Sequence, residues 1–410
     1  MSNLAASPSL SIHQFPPLRT STNVRIESID LLRGLVMIIM ALDHTRDFIH
    51  EGAMVADPLS ITTLDPLLFF TRWITHFCAP VFVFLAGTSA YLQGLRKSKK
   101  ELSVFLIKRG LWLIFVEVTL ITFGLTFDVT FSIFFLQVIW AIGISMVLLG
   151  FAVWLPFKAI LALSLLIVLG HNSLDLYEAK NPGNFNVAYS LLHRQNFMPI
   201  GGGRILAILY PFLPLTGLMM LGYCFGKIFT AYDGSARKNI LLKLGVGLVL
   251  LFVVLRFINV YGDPSPWAEQ KTFVQTFFSF INVTKYPASL LFMCMTIGPA
   301  IIFLALFDKV KSAFAKIITV YGKVPFFYYI LHFYIIHTVS LLFMLSRGHS
   351  FAEGATGAPG IPFKFVFPGE GLSLGGTYLV WLGVVIVLYP ACKWFSRYKQ
   401  THRQWWLSYL

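Results

Sequence analysis

The chain is poor in charge. Only 12% of its 410 residues are Asp, Glu, Lys or Arg, while 57% are hydrophobic; soluble domains carry about 25% charged residues. So few charges cannot cover a water-facing surface. Composition therefore excludes a soluble enzyme, a disordered chain and a nucleic-acid reader, despite a formal net charge of +14. Cysteine is scarce as well. Cys78, Cys224, Cys294 and Cys392 all lie in apolar runs without paired spacing, which reads as packing and not as a disulfide framework or zinc site. There is no GxxxxGK[ST] loop and no GxGxxG after a strand. No HxxE or HExxH pair puts two ligands on one helix face, so no metal is expected. Residues 1–24 are polar and lack the apolar core of a signal peptide. They read as a flexible cytoplasmic tail ahead of a single domain over 25–410.

What the sequence has is long apolar runs. Ten segments are long enough, or nearly so, to cross a bilayer: 29–49, 66–93, 104–124, 131–150, 157–172, 204–229, 239–260, 285–306, 319–346 and 375–395. Unpaired backbone groups are intolerable in hydrocarbon, and no alternating ten-residue pattern points to a barrel. The expected fold is an all-α, polytopic transmembrane bundle of about ten spans.

Basic residues set its orientation. The segments sharing a side with both termini hold 22 of the 32 Lys and Arg against five acids, and the remainder of the chain holds 10 against 13. By the positive-inside rule both termini are cytoplasmic. The high net charge is thus a topology signal, with membrane lipids as partners and no nucleic acid.

The first span carries the chemistry. Ser28-Ile29-Asp30-Leu31-Leu32-Arg33-Gly34 leads into an apolar stretch that ends in Asp43-His44-Thr45-Arg46-Asp47. Ionisable residues in a span are functional candidates by default. At 100° per residue, Arg33 and His44 fall on one face, roughly 16 Å apart along the axis. That stripe offers an anion anchor at one end and a proton-transfer group at the other. Asp47, one turn on, is placed to hold the imidazole tautomer, and Asp43 and Asp30 are placed to pair with Arg46 and Arg33. Other candidates are His76, four residues before Pro80, and Arg72, expected to pair with Asp65 or Asp47. His332, in a Tyr-rich run, and Lys285 and Asp263 at span edges complete the set. Glu117 is expected in a buried pair or proton relay, and His171 with Asp175 as an i,i+4 pair.

The stretch from Ser28 to Met37 with Asp43-His44 resembles the opening of the heparan-α-glucosaminide N-acetyltransferase catalytic-domain family, bacterial branch. The Arg33-to-His44 spacing is also similar to the Arg-X10-His signature of the wider transmembrane acyltransferase superfamily. Arg72 to Phe84, Asn259-Val260-Tyr261-Gly262-Asp263-Pro264, Lys285 to Ser289, Gly322 to His332 and the Trp405-Trp406 ending extend the likeness from about residue 25 onward. The resemblance implies an acyltransferase of ten or eleven spans that uses cytoplasmic acetyl-CoA to acetylate a hydroxyl or amine of an extracytoplasmic sugar. The bacterial inner membrane is then its location, and homodimerisation is left open. His44, Asp47 and Asp43 are the catalytic candidates, Arg33 and Asp30 the acetyl-CoA-binding ones, and His76, Arg72, His332, Lys285 and Asp263 the supporting or acceptor-binding set. The lysosomal branch has Asn where His44 aligns, which keeps His50 and His76 as alternatives for acyl transfer. Oxyanion donors are sought among Tyr328, Tyr329 and Asn259. The competing class is a transporter or flippase lined by the same charged span.

Overall fold

The computed structural model describes residues 26–408 apart from 56, 62–64, 184 and 309–311. The tail expected over 1–24, with Lys309 and Lys311, lies outside the described residues. About 70% of the described residues are helical.

The first helices are α1 (Glu27–Ile49), α2 (Pro66–Ile74) and α3 (Cys78–Gly94). Proline has no N–H to offer the carbonyl four residues back, and a single 3-10 turn, Thr75–Phe77, separates α2 from α3 at His76, four residues before Pro80. Next come α4 (Lys99–Val116), opened by a Ser98–Glu101 capping box, a π-turn at Glu117–Ile121, and α5 (Thr122–Thr126). After strand β1 (Ile133–Leu136) follow α6 (Val138–Ala152), α7 (Phe157–Gly170), α8 (Ser173–Lys180) and α9 (Val187–Leu192). Strands β2 (Asn196–Gly201) and β3 (Arg204–Ile208) precede α10 (Phe212–Phe225), α11 (Ile228–Ala231), α12 (Gly234–Ile258), α13 (Phe273–Ile281) and α14 (Leu290–Leu306). The chain continues through α15 (Ala313–Lys323), α16 (Pro325–Ser346), α17 (Phe351–Thr356) and α18 (Leu374–Thr401).

Three expectations change. The chain is not all helix: β1 pairs parallel with β3, and β2 pairs antiparallel with β3. The segments expected as spans at 131–150 and 204–229 therefore begin as strands. Gly201, Gly202 and Gly203, all at positive φ, make the β2–β3 turn. The segment expected at 319–346 is also split, because Pro325 starts a new helix at its favoured first position.

Among the described residues, six helical stretches are long and apolar enough to cross a membrane: Pro66–Gly94, Phe157–Lys180, Phe212–Ala231, Gly234–Ile258, Pro325–Ser346 and Leu374–Thr401. Two shorter apolar helices, α6 and α14, accompany them. Within the bundle α10 is two-thirds buried, whereas α12 and α18 bury about a fifth of their apolar windows. Helices α12 and α18 are thus the least buried of the six.

Helix α1 runs through the middle, packed on α3, α14, α15, α16 and α18. Its crossing with α15 is tight enough to require glycine on both sides. A Cβ on Gly34 would lie 2.0 Å from the Ile318 carbonyl oxygen, and one on Gly322 would lie 1.8 Å from that of Asp30. Small residues permit such close backbone approach in membranes, and this contact fixes the axial position of α1.

Candidate functional site

A cavity of about 210 Å³ lies at the C-terminal end of α1, where the loops around Met54 and Phe363 reach its wall. Asp43, His44 and Asp47 enter it from α1, Arg72 from α2, Cys78 from α3, Tyr329 from α16, and Lys285 and Tyr286 from the segment before α14. Of the three histidines considered for acyl transfer, His44 alone lines the cavity. His50 accepts the Gly52 N–H at 3.0 Å in the following loop. His76 is 1% exposed, packs edge-on against Phe292 and leaves Nδ1 without a partner among the described residues.

His44 Nδ1 lies 2.6 Å from His332 Nε2. The rings stack at 4.9 Å, and Phe333 stacks on His44 from 4.4 Å. His332 Nδ1 in turn contacts the Tyr329 carbonyl oxygen. A carbonyl only accepts, so Nδ1 of His332 carries the proton, and in the neutral ring Nε2 is then an acceptor. His44 must donate to it from Nδ1. The pair thereby leaves the lone pair of His44 on Nε2, the arrangement a base or nucleophile needs. This corrects the expectation for Asp47: its carboxylate is taken by Arg46 at 2.5 Å, and the tautomer is held from α16 instead.

Beside the imidazole is a knot of charge. Asp43 pairs with Arg46 at 3.2 Å, with Arg72, and with Lys285 at 3.9 Å. Arg72 was expected to pair with Asp65 or Asp47; Asp65 instead caps α2, accepting the Leu67 N–H at 2.9 Å. Lys285 sits over the Tyr286 ring at 5.2 Å and is 9% exposed, so it points inward and does not snorkel. Tyr286 and Tyr210 pack edge to face at 4.8 Å and both line the cavity. Sequence reading missed both tyrosines; Tyr286, following Lys285 directly, was the available signal.

Tyr328 and Tyr329 both have buried hydroxyls without a hydrogen-bond partner among the described residues, but only Tyr329 lines the cavity. Asn259 is used in its own loop, where its side chain exchanges two hydrogen bonds with the Trp267 backbone.

Several candidates lie elsewhere. Arg33 and Asp30 pair at 3.4 Å at the opposite end of α1, and Arg33 also reaches Ser89 and the Leu85 carbonyl of α3. Asp263 is not brought to the cavity. It accepts hydrogen bonds from Thr284 and Ser289 and faces Arg256 at 3.8 Å, inside a loop knot. Glu117 caps α6, accepting the Gln137 and Trp140 N–H groups at 3.2 Å. His171 turns to His193 at 3.1 Å, and Asp175 to Asn172 at 2.6 Å, so the expected His171–Asp175 pair does not form. Asp175, Glu178 and His193 are grouped within 4.8 Å. Glu178 there already holds His193 at 2.9 Å and Arg194 at 3.6 Å.

No curated protein matches the chain. The catalytic family of heparan-alpha-glucosaminide N-acetyltransferase matches residues 25–255, from α1 through most of α12. That stretch supplies His44, Asp43 and Arg72, while Lys285 and His332 follow it. Spanning more than half of the sequence, the match establishes that this integral membrane chain belongs to the heparan-alpha-glucosaminide N-acetyltransferase catalytic family, a family of membrane acetyltransferases.

Proposed function

We propose that the chain takes an acetyl group from cytoplasmic acetyl-CoA and delivers it to a hydroxyl or amine of a sugar on the far side of the membrane, in a bacterial inner membrane. The observation carrying this reading is the His44–His332 pair at the cavity, which leaves Nε2 of His44 unprotonated. In this reading Nε2 takes the acceptor proton as the acceptor oxygen or nitrogen attacks the thioester carbonyl. The tetrahedral intermediate then expels the CoA thiolate, which recovers that proton from His44. The same lone pair also suits a two-step route through an acetyl-imidazole. The Tyr329 hydroxyl supplies the hydrogen bond to the oxyanion.

The topology proposed with it has ten crossings and both termini cytoplasmic. Helix α1 then runs from a basic cytoplasmic mouth to the cavity. Arg33, its side chain 19% exposed beside Asp30, stands on the donor side.

The test is turnover of radiolabelled acetyl-CoA by purified protein in detergent, comparing wild type with His44→Ala, Tyr329→Phe and Arg33→Ala. Wild type is expected to release CoA. His44→Ala should lose about 10²–10⁴-fold in rate, the usual contribution of a positioned base. Arg33→Ala should need more donor, and Tyr329→Phe should lower the rate without changing donor demand. Folded wild type that neither binds nor consumes acetyl-CoA would refute the reading.

A further inference from the structure

The connection from α7 to β2 gathers a second set of histidines and carboxylates, none of which lines the cavity. Asp175 and Glu178 stand three residues apart on α8 and so share one face of it. His193 follows α9 and turns its ring to that face, with Nδ1 2.9 Å from Glu178 Oε1. One nitrogen or oxygen atom from each of the three residues lies within 4.8 Å of the other two. Their charge is unbalanced. Arg194 faces Glu178 at 3.6 Å with its side chain 37% exposed, and the Tyr189 hydroxyl donates to the same carboxylate at 3.1 Å. Asp175 receives the Asn172 amide at 2.6 Å and, among the described residues, pairs with no cation. Two carboxylates and one loosely placed guanidinium leave a formal surplus of one negative charge.

A buried ring outside the trio is aimed into it. His171, 3% exposed at the end of α7, directs Nδ1 at His193 Nε2 from 3.1 Å, and its own Nε2 has no partner among the described residues. The far nitrogen of a metal-binding histidine is where its orienting partner is found. A carboxylate only accepts, so without an ion the His193 proton sits on Nδ1, toward Glu178. An ion that takes Nδ1 sends that proton to Nε2, where His171 Nδ1 stands ready to accept it, with the His171 proton on Nε2. We propose that Asp175, Glu178 and His193 bind one zinc-class divalent cation, with His171 holding the tautomer of His193. Ligands about 2.0–2.2 Å from one ion stand about 3.5 Å from each other, within what rotamer adjustment of this trio reaches. An imidazole beside two carboxylates suits zinc better than calcium or magnesium, which take six or more oxygens. The sequence shows no such site because its ligands are split between one face of α8 and a residue fifteen positions on. The ion would clamp α8 to the chain entering β2. Asn172, which touches Asp175, also accepts the Leu290 N–H at the start of α14, so the clamp extends to that helix.

The experiment titrates chelator-treated protein in detergent with zinc alone, reading stoichiometry by calorimetry and the unfolding midpoint by differential scanning. Wild type is expected to bind one ion in the low micromolar range or tighter, with a midpoint that climbs with the logarithm of zinc concentration. Asp175→Asn, which keeps the shape of the carboxylate, and His193→Gln should lose both effects. His171→Phe should weaken binding about 10–100-fold, the usual cost of removing a partner behind a metal ligand. His349→Ala, at a separate histidine 2.8 Å from Glu370, should change neither. Wild type that binds no zinc overturns the proposal without any variant, and so does binding that survives in Asp175→Asn and His193→Gln. Wild type also reports the location directly, which keeps the test decisive if a variant fails to fold. Ferrous iron with ascorbate and peroxide should cut the backbone within α8 and α9, and zinc should block the cut; zinc-blocked cleavage elsewhere alone overturns the site. No readout depends on acetyl transfer, so the proposal stands or falls apart from the transferase reading.

Discussion

His44 and His332, 288 residues apart in sequence, meet nitrogen to nitrogen at 2.6 Å. Because the outer nitrogen of His332 donates to a carbonyl, the second ring can only accept, and it dictates which nitrogen of the first is bare. His332 is thus a positioning residue, and removing it should scramble the His44 tautomer without emptying the cavity. His332→Ala is expected to lower kcat by about 10–100-fold, the usual cost of losing a group that orients a functional histidine. The KM for acetyl-CoA should hardly move. A pH–rate profile distinguishes this from simple loosening: its acidic limb, where the His44 base becomes protonated, should shift in His332→Ala, whereas mere structural damage lowers the whole curve.

The Asp43 carboxylate is 8% exposed and is matched by cations from two helices and a loop. Arg72→Met leaves Asp43 with Arg46 and Lys285 but removes its hydrogen-bonded guanidinium. It should therefore destabilise the protein by about 1–3 kcal/mol, the cost of an unmet buried polar group, in a thermal-unfolding assay in detergent. Neutralising that carboxylate in the double variant Asp43→Asn/Arg72→Met should restore part of the loss. If the double variant is as unstable as the sum of the singles, the pair is not a stabilising unit.

Much of this site was legible because it sits on one short motif. The run from Asp30 to Asp47 places Met40, Asp43, His44 and Asp47 at the cavity within two turns of one helix, and the i,i+3 and i,i+4 spacings of Met40, His44 and Asp47 are legible from helical periodicity. The i,i+3 pairs of Arg33 with Asp30 and Arg46 with Asp43 were legible for the same reason. Partners from distant segments were not. Nothing local to Asp47 shows that His332 will hold the His44 tautomer, since that depends on how α16 packs on α1. Strands β1 and β3 were hidden likewise: each is short, apolar and continuous with a hydrophobic helix, and a four- or five-residue apolar run has no periodicity to betray it. Asp263 misled because a charged residue at a span edge looks the same whether it faces a ligand or knots a loop.

Acid should weaken the segment that delivers β1. Burial alone would raise the Asp128 carboxyl, but hydrogen bonds from the hydroxyls and backbone N–H groups of Ser132 and Thr130 outweigh it and hold the group well below the usual carboxylate range. A depressed carboxyl stabilises the fold above its unfolded pKa, about 3.9, and loses that contribution as pH falls toward the folded value. Wild type should thus lose stability on acidification below about pH 4. Asp128→Ala should lack this increment and be weaker at neutral pH by about 1–3 kcal/mol, the cost of leaving such donors unsatisfied. Unfolding midpoints of both proteins across pH 3–7 give the comparison, and parallel curves would show that the turn is held by something else.

The glycine crossing makes a prediction that separates position from chemistry. Gly322 does not line the cavity, yet a Cβ there would sit 1.8 Å from the Asp30 carbonyl oxygen, so Gly322→Ala must push α15 off α1. Overpacking of this kind costs about 1–3 kcal/mol. Because α1 carries His44 while α16, directly after α15, carries His332, the displacement should also widen the gap between the two rings. Gly322→Ala is expected to lower both the unfolding temperature and kcat. Gly375→Ala, where an added Cβ meets open space, should change neither. If Gly322→Ala loses stability while the folded fraction turns over at the wild-type rate, the two histidines are held together by α16 alone, and the crossing serves the fold without serving the site.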